Sequence, residues 1–437
     1  MLKKEKSVPN FVANEHEVLK FWTENNINQK YINKNKGSQK YYAFLDGPIT
    51  ANSSAGVHHG WNRTLKDAFL KYRTMQGFDA HYQSGFDAQG LWVEVETEKD
   101  LGLKDKRDIE ALGLDKFTEA CMARVNKYAG VIAGQSKRLG QFMDWDNSYF
   151  TNSDRNITSI WHFLKVCHEK GWLEKKYRPM PWCSHCGTSL SEHELADNYK
   201  DMEHEAVFLK LPIKNTDMSI VVWTTTPWTL CANVAIAVNP EFEYLVCKVK
   251  STDRKLIICK TTKKVLKDDI ITVEKVLKGS DLVGMEYETF FEELPQQNFP
   301  HKIVAWDMVE ADEGAGDVHI APGCGSEDFE LGQSLGLPNI LPVDESGIFY
   351  DDFGFLAGKE ADKVNDLVFE ELKKRDKIYY SHNYTHRYAV CWRCKKPLIY
   401  RLTEEWYIKV DEIRPLLLKA VEDVEWQPAF LKKNMTA

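Results

Sequence analysis

A chain of 437 residues, 43% hydrophobic and 28% charged, is long enough for two or three domains with sizeable cores. That composition excludes a disordered tail, a collagen-like fibre and a small disulfide-stapled scaffold. The net charge of −8, from 57 basic and 65 acidic residues, does not mark a nucleic-acid binder, although a local basic surface can serve on an acidic protein.

In chain order, the opening Met1-Leu2-Lys3-Lys4-Glu5-Lys6 has no apolar core behind it, so no signal peptide is expected. Val18, Leu19, Phe21 and Trp22 fall on one side of a helix, and residues 25–39 read as a connector. Residues 41–45 are a short apolar run ending at Asp46-Gly47-Pro48, a buried strand feeding a turn. A loop leads to a helix over residues 61–73; residues 80–83 are strand-like, 85–87 a loop, and 108–140 a long helical stretch. Such alternation implies an α/β fold with a parallel sheet and crossover helices. Near residue 204 the character changes. Runs at 206–211, 219–223, 234–238, 244–249, 255–259 and 270–276 predict a mostly β domain, followed by a helix over 359–375. The most apolar stretch, 219–238, is broken by Thr224, Thr225, Thr226, Pro227 and Asn233. It falls short of the roughly 18 apolar residues that a membrane span needs.

Ten cysteines in a chain of cytoplasmic character are not expected to form disulfides. Four make two CxxC pairs, Cys183/Cys186 and Cys391/Cys394; Cys121, Cys167, Cys231, Cys247, Cys259 and Cys324 read as buried thiols. Four thiolates suit a closed structural Zn²⁺ site, the alternative being two unrelated redox or chance pairs. Cys391 lies 205 positions beyond Cys186, too far for one small zinc finger but natural for a site closed across an insertion. The expected boundaries are 1–203 with the first knuckle, an insert at 204–381, and a return at 382–437 with the second.

Four further segments carry chemistry. In residues 46–59 small residues let backbone approach a ligand, and His58 and His59 at a helix start can donate to phosphate, unless they are two surface histidines. In residues 85–94 Asp87 ends a strand, where it either pairs with a ligand ammonium or caps a helix. Thr224, Thr225 and Thr226, followed by Pro227, Trp228 and Asn233, are not a plain strand. In residues 314–328 glycines permit tight turns around a ligand that His319 and Asp328 can face.

Together these segments resemble the isoleucyl-tRNA synthetases, a family of class I aminoacyl-tRNA synthetases, over nearly the whole chain. Residues 46–59 are similar to the family's ATP loop ending in HIGH, and residues 85–94 to GWDxHGLPxE. Residues 223–230 read WTTTPWTL, as in isoleucyl enzymes, where valyl and leucyl relatives carry TTRP; residues 319–328 are similar to HxAPGHGxED. The resemblance implies a Rossmann-type parallel sheet, an inserted β-rich editing domain and a four-cysteine zinc knuckle. It implies a monomeric, cytoplasmic isoleucine–tRNA ligase that activates isoleucine with ATP and Mg²⁺, charges tRNA(Ile) and hydrolyses Val-tRNA(Ile). One methylene supplies only about 1–3 kcal/mol of discrimination, so a second sieve is needed. By this resemblance Pro48 and Asp87 belong to the amino-acid pocket, with Asp87 on the α-ammonium. Thr224, Thr225, Thr226, Asn233, His319 and Asp328 belong to the editing pocket, with Asp328 on the ammonium.

The departures are specific. Gly56-Val57-His58-His59 stands where HIGH is expected, so the first His and the Gly have exchanged places. The expectation is a rearranged but active loop in which His59 still donates to phosphates. Gln89, Trp92 and Cys324 stand where the family has His, Pro and His. No KMSKS segment occurs before Ala437, so the chain is expected to be an N-terminal fragment, weak in adenylate formation but with its editing domain complete. The alternatives are a free-standing editing hydrolase, a valyl-type synthetase, and a non-catalytic zinc-bearing nucleotide- or RNA-binding module.

Overall fold

Residues 9–104, 106–250, 252–267 and 271–436 are described by a computed structural model; the expectations that rest on Met1–Lys6 and Ile270 fall outside them. The chain divides into two units, Met1–Leu173 and Glu174–Ala437.

In the first unit, helix α1 (Phe11–Glu24) is followed by strands β1 (Tyr41–Leu45) and β2 (Ile49–Thr50), helix α2 (Val57–Met75), and strands β3 (Asp79–Gln83) and β4 (Gly85–Asp87). Helices α3 (Leu91–Leu101) and α4 (Leu114–Arg138), strand β5 (Tyr149–Phe150) and helix α5 (Asp154–Glu169) follow. β1 and β3 pair in parallel from Tyr41↔Asp79 to Leu45↔Gln83. A parallel pair needs a crossover, and α2 supplies it. β4 pairs in parallel with β2 and with β5. Ala51, Phe86, Ala88, Val93, Val125, Ala129 and Ile132 pack the core behind that small sheet.

Five local expectations change here, the first being that β1, expected to be buried, has Tyr41 and Leu45 exposed. The second helix starts at Val57 rather than Trp61, which puts His58 and His59 in its first turn. Residues 85–87 are a strand, because their backbone extends the β2 pairing at Ile49↔Phe86 and Thr50↔Asp87. The helix expected over 108–140 is two helices, Lys106–Leu112 and Leu114–Arg138. Gly113 between them has φ 104°, a left-handed conformation that glycine accepts without strain. Within the expected connector, Ile27–Ile32 is a short helix.

The second unit contains β6 (Leu173–Cys183), β7 (Thr188–Ser189), β8 (Tyr199–Pro212), β9 (Met218–Thr224), β10 (Ala235–Val238), β11 (Glu243–Val249), β12 (Lys255–Cys259) and β13 (Ile271–Lys278). β14 (Lys302–Ala305), β15 (Asp317–Ile320), α6 (Ser326–Leu335), α7 (Asn365–Lys374), β16 (Ile378–Ala389) and β17 (Ile399–Ile408) follow. A six-stranded sheet has the order β13-β11-β12-β9-β8-β16; β14-β10-β15 and β17-β6-β7 are smaller sheets. Side chains alternate across the large sheet. Val207, Leu209, Leu211, Ile220 and Val222 enter the main core, while Phe208, Val221, Leu245, Leu256 and Ile258 form a second core on the other face. The helix expected over 359–375 is the shorter α7, since Ala361–Lys363 form a 3-10 turn and Val364 caps α7.

β8 pairs with β9 over Val207–Pro212 but with β16 over Tyr199–Leu209, from Leu209↔Ile378 to Tyr199↔Ala389. Residues 199–206 and 382–389 are therefore a two-stranded ribbon that leaves the large sheet. At its far end Val390 N–H donates to Asn198 O, and Cys391 follows directly.

Candidate functional site

The four paired cysteines meet at the end of that ribbon. Their sulfurs all lie within 4.8 Å of one another, with Cys183 Sγ 3.4 Å from Cys394 Sγ and Cys186 Sγ 3.9 Å from Cys391 Sγ. These separations are too long for S–S bonds. Four thiolates bound at ~2.3 Å around a tetrahedral ion sit about 3.8 Å apart, so the cluster can hold a metal ion. Glu194 ties the two knuckles together: its carboxylate accepts from Ser191 N–H at 2.9 Å, Trp392 Nε1–H at 2.8 Å and Arg393 Nη2–H at 2.5 Å. Burial pushes that carboxyl upward, but Ser191, Trp392 and Arg393 together hold it below the ordinary range.

A second site is a cavity of about 360 Å³ in the second unit, whose walls include Thr224, Thr226, Thr229, His319, Cys324 and Asp328. Asp328, in the first turn of α6, accepts from Ala321 N–H at 2.7 Å. It has no ion-pair partner among the described residues, and burial pushes its carboxyl up to about 6, with Glu327 adding to that and the Ala321 bond opposing it. His319 on β15 is buried, which lowers its imidazole to about 4 and keeps it neutral. Its Nε2 is 3.1 Å from Thr229 Oγ1 and its Nδ1 is 2.9 Å from Asn233 Nδ2.

Of the six residues expected in this pocket, the structure brings Thr224, Thr226, His319 and Asp328 to its walls. Thr225 does not line it, and Asn233 is fully buried behind His319. Thr229 lines it without having been singled out. The segment Pro227–Ala232 is a 3-10 helix, whose period of three puts residue 229 over residue 226. That period, counted from Thr226, was the available signal.

In the first unit a cleft of about 330 Å³ is lined by Asp46, Pro48, Thr50, His59, Arg63 and Lys66 among others. Asp46 is buried and neutralised by Lys66 at 2.6 Å and Arg63 at 3.9 Å. Arg63 Nη1 is itself buried with no hydrogen-bond partner among the described residues. His59 Nδ1 accepts the Gly56 N–H at 3.0 Å, capping the start of α2. Its proton is then on Nε2. Burial, His58 and Arg63 all lower the pKa of His59, so this side chain is a neutral donor beside the cleft. His58 is exposed and packs against His59 with ring centroids 3.9 Å apart and the rings tilted by 41°, while Gly56 faces a separate groove beside α1.

Asp87 sits at the C-terminal end of β4, and its two oxygens lie 3.3 Å from the hydroxyls of Thr50 and Thr151. It forms no ion pair among the described residues. The capping alternative is excluded, since Gly90 caps α3.

The exchanged Gly56 and His58 are coupled in space. A Cβ on residue 56 would lie 3.0 Å from His58 Cε1. Gly56→His alone is expected to cost about 1 kcal/mol, and adding His58→Gly, which removes the ring, to recover most of it. Urea unfolding midpoints read this; a Gly56→His chain as stable as the parent would contradict it.

Residues 17–437 match the family model described as tRNA synthetases class I (I, L, M and V). The chain belongs to this family of class I tRNA synthetases. Isoleucine–tRNA ligases are among the curated relatives it resembles. That of Archaeoglobus fulgidus is 40% identical over 429 residues, covering 95% of this chain and 41% of the relative. That of Methanopyrus kandleri is 37% identical over 441 residues, again covering 95% and 41%. The chain thus spans about two fifths of these relatives' length. Among solved structures, the Agrobacterium radiobacter K84 LeuRS in a ternary complex with tRNA and LeuAMS matches 86% of this chain and 49% of that one, at 13% identity and a TM-score of 0.36. Among the described residues no helix is long and apolar enough to cross a membrane.

Proposed function

We propose that the chain carries the amino-acid-activating front and the editing pocket of an isoleucine–tRNA ligase, with residues 1–203 and 382–437 serving the first and 204–381 the second. The observation that carries this is a pair of carboxylates, Asp87 in one unit and Asp328 in the other, neither ion-paired among the described residues. Each is a ready partner for an α-ammonium. Two ammonium sites on one chain are what an enzyme needs if it selects isoleucine once and rejects valine again, because one methylene supplies too little discrimination for a single sieve.

In this reading Pro48 borders the isoleucine side chain, and Asp87, held by two threonine hydroxyls, takes the ammonium. His59 Nε2–H and Arg63 face the phosphates of ATP, which binds with Mg²⁺, while His58 in the glycine's place stays outside the cleft. Cys183, Cys186, Cys391 and Cys394 hold a structural Zn²⁺, which contributes folding energy and no chemistry of the reaction. In the second pocket Asp328 takes the ammonium of valine on tRNA(Ile), and Thr224 and Thr226 border the ester.

Incubation with Val-tRNA(Ile) and Ile-tRNA(Ile) tests the editing half. Release of valine at least tenfold faster than the uncatalysed rate, with isoleucine spared, is expected; equal rates for both esters would overturn it. Isoleucine-dependent exchange of pyrophosphate into ATP tests the other half separately, and distinguishes a ligase from a hydrolase alone.

A further inference from the structure

We propose that Asn233, which does not reach the pocket, is a positioning residue that sets the proton pattern of its wall: it locks His319 as the Nε2–H tautomer and thereby makes Thr229 an acceptor toward the ligand. This rests on the editing reading of the pocket.

The hydrogen-bond chain admits one assignment. Asn233 Nδ2 lies 2.8 Å from Ala235 O. A carbonyl oxygen has no proton to give, so nitrogen and not Oδ1 must face it. Oδ1 then accepts from Tyr287 O–H at 2.7 Å. The second hydrogen of Nδ2 has His319 Nδ1 at 2.9 Å and, further off, Ile320 O at 3.5 Å as acceptors; because an amide nitrogen cannot itself accept, the ring nitrogen facing it is bare and the proton is on Nε2. Nε2–H donates to Thr229 Oγ1 at 3.1 Å, and the hydroxyl of Thr229 donates to Thr226 O at 2.9 Å. With its proton spent and one lone pair filled, Thr229 can only accept from a ligand. Thr224 is the reverse: its oxygen accepts Thr226 N–H at 3.0 Å, and its own proton has no acceptor among the described residues.

The wall therefore presents a donor at Thr224, an acceptor at Thr229 and a carboxylate at Asp328. An aminoacyl ester and a water fit that pattern. The ammonium meets Asp328, the ester carbonyl accepts from Thr224, and the water gives one O–H to Thr229, which leaves its lone pair for the carbonyl carbon. The water oxygen bonds to that carbon and the C–O bond to the ribose breaks. One water proton ends on the ribose hydroxyl, and the amino acid leaves as a carboxylate with release of the other. His319, with both nitrogens committed, removes no proton itself. It holds Thr229.

The full chain labelled with ¹⁵N at its 13 histidines reads the tautomer directly from two-bond ¹H–¹⁵N couplings, with His319→Gln identifying the signal. At pH 7 the parent is expected to show Nε2–H. Asn233→Asp puts an acceptor against His319 Nδ1 and is expected to draw a proton there, giving Nδ1–H or imidazolium. Valyl-tRNA hydrolysis is then expected to lose at least 30-fold in kcat with KM changed less than threefold. Thr229→Val should lose as much and Thr229→Ser less than threefold, so the pair carries the test if Asn233→Asp misfolds. Tyr287→Phe keeps the tautomer, because Ala235 O still orients the amide. An Nδ1–H signal in the parent, or full activity of Thr229→Val, overturns the proposal. The expected spectrum in a parent that does not hydrolyse valyl-tRNA supports the proton pattern and overturns the editing reading instead.

Discussion

Replacing Cys391 with serine, or stripping the chain with a strong chelator, is expected to lower its stability more than any other single change in the second unit. Three of the four sulfurs are buried and all four lie within 4.8 Å of one another. Without a bound cation such a cluster is four desolvated thiols; with zinc it closes the ribbon of β8 and β16 on itself. Structural zinc sites contribute apparent free energies of roughly 10–16 kcal/mol in small zinc fingers. Even a partial share here predicts a fall in Tm of about ten degrees or more. Elemental analysis should find one zinc per chain, and chelator should bring the parent down to the melting point of Cys391→Ser. Cys247→Ser, at a buried thiol outside the cluster, should cost only about 1–2 kcal/mol and leave the chelator response intact. A parent free of zinc that melts like Cys391→Ser would remove the structural-metal reading.

Most of what could be read in advance depended on local covalent pattern. Two cysteines three apart can face one metal ion together, so both CxxC pairs were visible as candidate half-sites; that they close on each other across more than two hundred residues was an expectation, which the four sulfurs, lying within 4.8 Å of one another, meet. Five of the six strands of the large sheet were visible at least in part, because β-branched runs bounded by turns leave few alternatives: residues 255–259 have the same limits in the structure, whereas β16 was not expected. What was hidden depended on tertiary partners. Residues 85–87 hold too few side chains to show a strand period, and become one only because β2 and β5 lie beside them. Asn233 belonged with the pocket in the sequence because it follows the threonines, but the chain turns through Pro227–Ala232 and leaves its amide behind His319. Thr229 needed a period of three inside a segment read as a broken strand. The carboxylates were legible as carboxylates; that neither Asp87 nor Asp328 is ion-paired among the described residues required the whole contact set.

Asp328→Asn is expected to abolish valyl-tRNA hydrolysis and, at neutral pH, to stabilise the fold. The amide oxygen of asparagine can keep the 2.7 Å bond from Ala321 N–H, so geometry is preserved and only the charge is lost. Loss of at least about 100-fold in kcat/KM is expected if that charge holds the ammonium. The stability change has a definite sign. Burial holds the folded carboxyl at about 6 against an ordinary value of 3.8. Between those values the folded chain binds the proton more tightly than the unfolded one, so its contribution to stability is complete below about pH 4 and declines as pH rises through 6. Above that, the buried charge costs the fold on the order of 3 kcal/mol, which asparagine avoids. Unfolding midpoints of parent and variant should therefore coincide near pH 4 and separate by pH 7, with the variant the more stable. Hydrolysis by the parent should rise over the same interval as the carboxylate forms. A variant that still cleaves valyl-tRNA within threefold of the parent would remove Asp328 from ammonium binding. A stability difference independent of pH would show that the carboxyl is not held protonated by its burial. The same groups thus link function and cost: the carboxylate that is left without a partner to receive a substrate's charge is, until the substrate arrives, a burden on the fold.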